Sequence, residues 1–145
     1  MPSAVDPEQA VLVLVVEDDG LTQHIVRSAL EDAGFGVVVA STGPAAIELL
    51  EGSRGGAIRA VVTDVNLGPG TNGWQVARRA REIWSDMPLL YVTGGNSEEW
   101  DVNGVPQSML ISKPFAPAQI VTAVSQVLNA APPESAEAKK TGTSA

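Results

Sequence analysis

The chain has 145 residues, 44% of them hydrophobic and 18% charged, with a formal charge of −8 and no cysteine. That length predicts one domain with a buried core. The nine cationic residues form no basic face, which argues against nucleic acid as a partner. The missing thiols exclude disulfides, thiol catalysis and Cys-ligated zinc or iron–sulfur sites.

Residues 1–9 read as an N-terminal extension, and the first element is a strand, Val11–Val16. That apolar run is too short for a signal-peptide core, and Asp6 and Glu8 precede it where positive charge is expected. No other run nears the ~20 residues needed to span a bilayer, so no membrane association and a cytoplasmic location are expected. A helix follows from about Leu21 to Ala33, with Leu21, Ile25, Ala29 and Ala33 at four-residue spacing and Gly34 to end it. Then come a strand, Gly36–Ala40, and a helix opening at Pro44 with Thr42 or Ser41 as its cap. Ile58–Thr63 is the third strand, and Asn72–Trp84 a helix with Val76, Ala77, Ala80, Ile83 and Trp84 on one stripe. Pro88–Thr93 is the fourth strand. The crossover after it, Asn96 to Gln107, has room for one or two helical turns around Glu98 to Val102, because Gly104 and Pro106 interrupt it. Ser108–Ser112 is the fifth strand, and a last helix runs from Pro117 through Leu128. Residues 131–145 lack apolar periodicity and read as a flexible tail.

Short apolar runs alternating with amphipathic segments imply a parallel sheet covered on both faces. Five strands joined by right-handed crossovers make a doubly wound, flavodoxin-like α/β sheet of order 2-1-3-4-5, with its fourth helix short or irregular. Such sheets bind ligands at the carboxyl ends of the strands, where the order reverses.

At those ends stand Glu17, Asp18 and Asp19 after strand one, Asp64 after strand three, Thr93 on strand four, and Lys113-Pro114 after strand five. Two carboxylates about 5 Å apart repel by roughly 3 kcal/mol at an effective dielectric near 20. Such a cluster either holds a proton or binds a cation. All-oxygen ligands imply a hard ion, and Mg2+ fits best if a phosphoryl group completes its shell. Thr93 and Lys113 supply a hydrogen-bond donor and a positive charge for the other phosphoryl oxygens.

The ordered set Glu17-Asp18, Asp64, Thr93 and Lys113-Pro114-Phe115 resembles the receiver domains of bacterial two-component response regulators, over about Val11 to Leu128, within a receiver unit of residues 10–130. The resemblance implies that Asp64 accepts a phosphoryl group from a sensor histidine kinase or a histidine phosphotransfer protein. It makes Asp18 the main protein ligand of Mg2+, with Glu17 acting mostly through water, Asp64 in the same shell and the backbone carbonyl of Asn66 as a further ligand. Thr93 is expected to move onto the phosphoryl oxygen, Lys113 to pair with it, and the Lys113–Pro114 bond to be cis. The domain is expected to turn over no separate substrate, and its output to be contact with a downstream protein or phosphate relay. Kinase docking is expected near His24 and Arg27 on the first helix and at the loop after strand five. Output is expected on the face of the fourth crossover, fifth strand and last helix.

Two features depart from the common receiver pattern. Leu110 stands three residues before Lys113, where most receivers carry an aromatic switch residue. Tyr91 shares a strand face with Thr93 and is expected to take part in the switch instead. The run from Tyr91 to Gly95 is similar to a stand-alone subgroup with a Phe-Ala-Thr-Gly motif, and its glycines suggest a mobile loop from Gly94 to Gln107. Trp74, Trp84 and Trp100 are read as packing residues, His24 as a surface imidazole, and Arg78, Arg79 and Arg81 as a solvated helix face.

Three rival readings remain. A magnesium-dependent aspartyl-phosphate phosphatase needs a second acid two residues after its nucleophile, where this chain has Asn66. A nucleotide- or flavin-binding module needs a glycine-rich first turn, where this chain has three acids. A pseudo-receiver, a pure interaction module, would be expected to have lost the site residues, and here they are all present.

Overall fold

Segments apolar on both sides of the backbone are stable only between two helical layers, and the chain builds that sandwich. The structure is a computed structural model and describes residues 10–52, 55–95, 100 and 103–130. In order come β1 (Leu12–Val16), α1 (Gly20–Asp32), β2 (Gly36–Ala40), α2 (Gly43–Glu51), a 3-10 turn (Gly55–Ala57), β3 (Ile58–Asp64), α3 (Gly73–Ile83), β4 (Leu89–Thr93), β5 (Met109–Ser112) and α4 (Pro117–Ala130). The strands are all parallel in the order β2-β1-β3-β4-β5, as the alternation of elements predicts. No helix of the described residues is long and apolar enough to cross a membrane.

Each sheet face has its own core. On one, Leu14, Val16, Val61, Leu89 and Tyr91 meet Ala46 and Leu50 of α2 and Val76, Ala77 and Ala80 of α3. On the other, Val13, Val15, Val62, Leu90 and Val92 meet Val26 and Leu30 of α1 and Ile120, Ala123 and Val124 of α4. Neighbouring strand residues alternate between the two cores, which is the period-2 geometry of a sheet.

Caps set where the helices begin and end. Asp19 accepts from the Thr22 N–H at the start of α1, Thr42 rather than Ser41 caps α2, and Asn72 forms a reciprocal capping box with Gln75 on α3. Gly34, with φ of 99°, ends α1: its N–H donates to the Glu31 carbonyl and that of Phe35 to the Leu30 carbonyl. Gly73 is needed for a different reason. A Cβ there would collide with the Asp64 carbonyl oxygen, so only glycine lets α3 start flush against the end of β3.

Several expectations need correction. The buried side of α1 is Val26 and Leu30, whereas Leu21 is 69% exposed and Ile25 36%. Four-residue steps turn about 400°, so the Leu21–Ile25–Ala29–Ala33 row drifts around the helix instead of staying on one face. Trp84 follows α3 as its C-cap and is 42% exposed, so it is not a core residue. Arg81 is no solvated side chain: its Nε donates to the Met87 carbonyl at 2.6 Å and its Nη1 to the Pro106 carbonyl at 2.7 Å.

The segment expected to be mobile is fastened in its second half. Arg78 donates to Asn103 Oδ1, and Trp100 Nε1 donates to Ser108 Oγ, which in turn donates to the Val105 carbonyl. Trp100 and Asn103 are helical, while residues 96–99 and 101–102, where the short fourth helix was expected, lie outside the described residues. So do the expected extension 1–9 and tail 131–145.

Candidate functional site

Because the strands run in one direction, β1, β3, β4 and β5 deliver their last residues to the same rim of the sheet. Asp64 is the final residue of β3 and is buried, with Oδ1 accepting from the Asn66 N–H at 3.1 Å. Its Oδ2 lies 2.9 Å from the Lys113 ammonium, which is also 3.6 Å from Glu17 Oε1. Glu17, Asp18 and Asp64 each present an oxygen within 4.8 Å of the others. Lys113 is anchored through its backbone, whose N–H donates to the Thr93 carbonyl, and its bond to Pro114 is cis. Thr93 is buried at the end of β4, its hydroxyl accepting from the Gly95 N–H at 3.0 Å.

Four of the expected residues, Glu17, Asp18, Asp64 and Lys113, thus stand together, and Thr93 is tied to the group through the Lys113 backbone. Asp19 stands apart: its carboxylate caps α1 through the Thr22 N–H and hydroxyl, bonds that hold it below the usual carboxylate range. Tyr91 and Leu110 lie deeper, paired in register on β4 and β5. The Tyr91 ring is fully buried against Trp74, with centroids 4.6 Å apart, and its hydroxyl accepts from the Val105 N–H at 3.0 Å. His24 is exposed, as expected.

Burial is the main force on Glu17, which is 3% exposed. It pushes the Glu17 carboxyl up to about 7, with the Asp64 charge adding to the rise and the Asp19 N–H and Lys113 opposing it. For Lys113, burial disfavours the ammonium, but its bond to Asp64 and the charges of Asp64 and Glu17 outweigh that and leave its pKa raised. The pocket therefore holds more negative charge than its one lysine offsets. Three carboxylate oxygens without a nitrogen or sulfur donor suit a hard divalent cation such as Mg2+.

Two contributors carry no motif in the sequence. Gln23, on α1, donates from Nε2 to the Glu17 carbonyl at 2.6 Å and to Ser41 Oγ at 3.0 Å. Gly73 lets α3 approach the end of β3. The first bonds a backbone oxygen, which every residue possesses. The second is a matter of clearance.

Residues 13–125 match the response regulator receiver domain family. A response regulator receiver protein from Sinorhizobium medicae WSM419 is 47% identical in sequence and similar in structure, with a TM-score of 0.80 over 85% of this chain and 98% of that one. The chemotaxis response regulator CheY4 of Vibrio cholerae, 24% identical with a TM-score of 0.71 over 82% of this chain and 99% of that one, shares the fold. Response regulator MprA of Mycobacterium bovis (strain BCG) is 30% identical over 129 residues, which are 88% of this chain and 54% of that protein. The chain thus spans about half the length of the curated relatives it matches. With the family match running from β1 into α4 over the sheet order just described, the chain belongs to the response regulator receiver domain family.

Proposed function

We propose that Asp64 is a phosphoacceptor, taking a phosphoryl group from a phosphohistidine on a sensor histidine kinase or histidine phosphotransfer protein. The observation that carries this reading is the meeting of the buried Asp64 carboxylate with Lys113 and two further acids. A carboxylate oxygen of Asp64 attacks phosphorus, the P–N bond breaks, and its electron pair returns to the departing imidazole. The product is an aspartyl phosphate. Lys113 shifts its contact from Asp64 Oδ2 to a phosphoryl oxygen, and the Thr93 hydroxyl donates to another. Asp18, Asp64 and the Asn66 carbonyl would hold Mg2+, with Glu17 acting mostly through water; when bound, the ion would offset the negative charge that otherwise opposes transfer.

Residues 10–130 form the receiver unit, which turns over no separate substrate. The exposed Leu21 and Ile25, beside His24 and Arg27, offer the kinase a docking face on α1. The groove of about 330 Å³ between β5 and α4, lined by Met109, Ile111 and Ala123 among others, lies on the output face. There the chain contacts a downstream protein or relays the group. With Leu110 in place of the usual aromatic, Tyr91 carries the switch by joining β4 to the segment around Val105.

Incubation with Mg2+ and acetyl phosphate should add the mass of one phosphoryl group, and Asp64→Asn should abolish the gain. A wild-type chain that stays unmodified, with acetyl phosphate and with a panel of kinases alike, would instead favour a pseudo-receiver. Rapid turnover of a generic phosphate ester would favour a phosphatase.

A further inference from the structure

We propose that Gln23 is a positioning residue for the acid cluster: its side-chain amide fixes the peptide joining Glu17 to Asp18 and so sets where the Asp18 carboxylate points. The inference rests on the reading of that cluster as a magnesium site.

The turn after β1 packs three acids in succession, and their mutual repulsion works to open it. It stays closed because its peptides are held in turn. The Glu17 N–H donates to the Ala40 carbonyl at 3.1 Å. The Asp19 N–H donates to Glu17 Oε2, also at 3.1 Å. Between these lies the Glu17–Asp18 peptide, whose oxygen accepts from Gln23 Nε2 at 2.6 Å. A peptide is planar, so holding its oxygen also holds the nitrogen and Cα of Asp18. Turning that plane would swing the Asp18 side chain relative to Asp64. The amide is itself braced, because the same Nε2 donates to Ser41 Oγ at the end of β2. Asp18 is exposed, so core packing does not fix its direction and the backbone must. Partners that orient metal ligands typically account for about 10–100-fold in affinity.

The test is calorimetric titration of Mg2+ into the wild type and Gln23→Met, with thermal melts in chelator alongside. Methionine preserves the volume and removes the donor. The expected result is magnesium binding weakened on the order of tenfold, and the same loss in Gln23→Asn, which withdraws the amide by one methylene. Val26→Ala, which opens a cavity beneath the same helix, should lower the melting temperature and leave magnesium affinity unchanged. Wild-type affinity in both Gln23 variants would overturn the inference while leaving the metal site standing. So would a Val26→Ala variant that loses as much affinity as Gln23→Met, since the effect would then be general loosening of α1. If the wild type binds no magnesium, the metal reading falls and this inference with it.

Discussion

Glu17 sits at the end of β1 with almost no contact with water and with Asp64 as a neighbour, so ionising it in the folded chain is costly. Its carboxyl is raised from 4.5 to about 7. A carboxyl raised on folding binds its proton more tightly in the native state, so its contribution is intact below the unfolded value. That contribution is lost as pH climbs through the folded one. Metal-free protein should therefore lose stability between about pH 4.5 and 7. Glu17→Gln should flatten that slope. Urea denaturation in chelator across this range measures both, and a parallel slope in the variant would remove Glu17 as its source. At this scale the sequence was informative wherever a side chain declares its chemistry: Glu17, Asp18, Asp64 and Lys113 were all legible. It was silent where a side chain bonds the backbone of a distant residue. Arg81 looked like one of three solvated cations, and only the fold brings the Met87 and Pro106 carbonyls to it.

Among the elements, β4 and α3 together hold the segment that leads into β5. The Tyr91 hydroxyl takes the Val105 N–H, while Arg78 and Arg81 reach Asn103 and Pro106 from the helix. Burial raises the Tyr91 phenol above its ordinary value, with the Val105 N–H opposing the rise. Tyr91→Phe keeps the ring against Trp74 but leaves that N–H without its acceptor, at a cost of about 1–2 kcal/mol. Hydrogen exchange at the Val105 amide should accelerate in Tyr91→Phe while exchange within β1 changes far less, and Asp64 should still accept phosphate. Unchanged protection at Val105 would dismiss Tyr91 as the joint between strand and segment. Strand positions were readable because alternation against two covered faces leaves near-continuous apolar runs. The face of α1 was not, since Leu21 and Ile25 carry the same apolar signal as Val26 and Leu30. Only the packing partners, Ile120 and Val124 among them, decide which pair goes inside.

For the molecule as a whole, a charge of −8 means that the folded state concentrates repulsion, most severely at the rim where three acids converge. A cation bound there stabilises the native state by mass action, about 2.7 kcal/mol at a hundredfold excess over its dissociation constant. The thermal midpoint should rise with the logarithm of magnesium concentration, and Asp18→Asn should suppress most of the rise. A midpoint insensitive to magnesium at constant ionic strength would contradict the metal reading. The order 2-1-3-4-5 was legible because crossover handedness leaves few alternatives, and the site followed from it.

Strands that share one direction have another consequence. The turn at Ser85 and Asp86, before β4, lies at least a strand's length, about 16 Å, from the acidic rim. A dye, a tether or a grafted module placed there would leave the acidic rim facing open solution. The sheet is polarised: its acid cluster stands at one pole, and the opposite pole offers a handle.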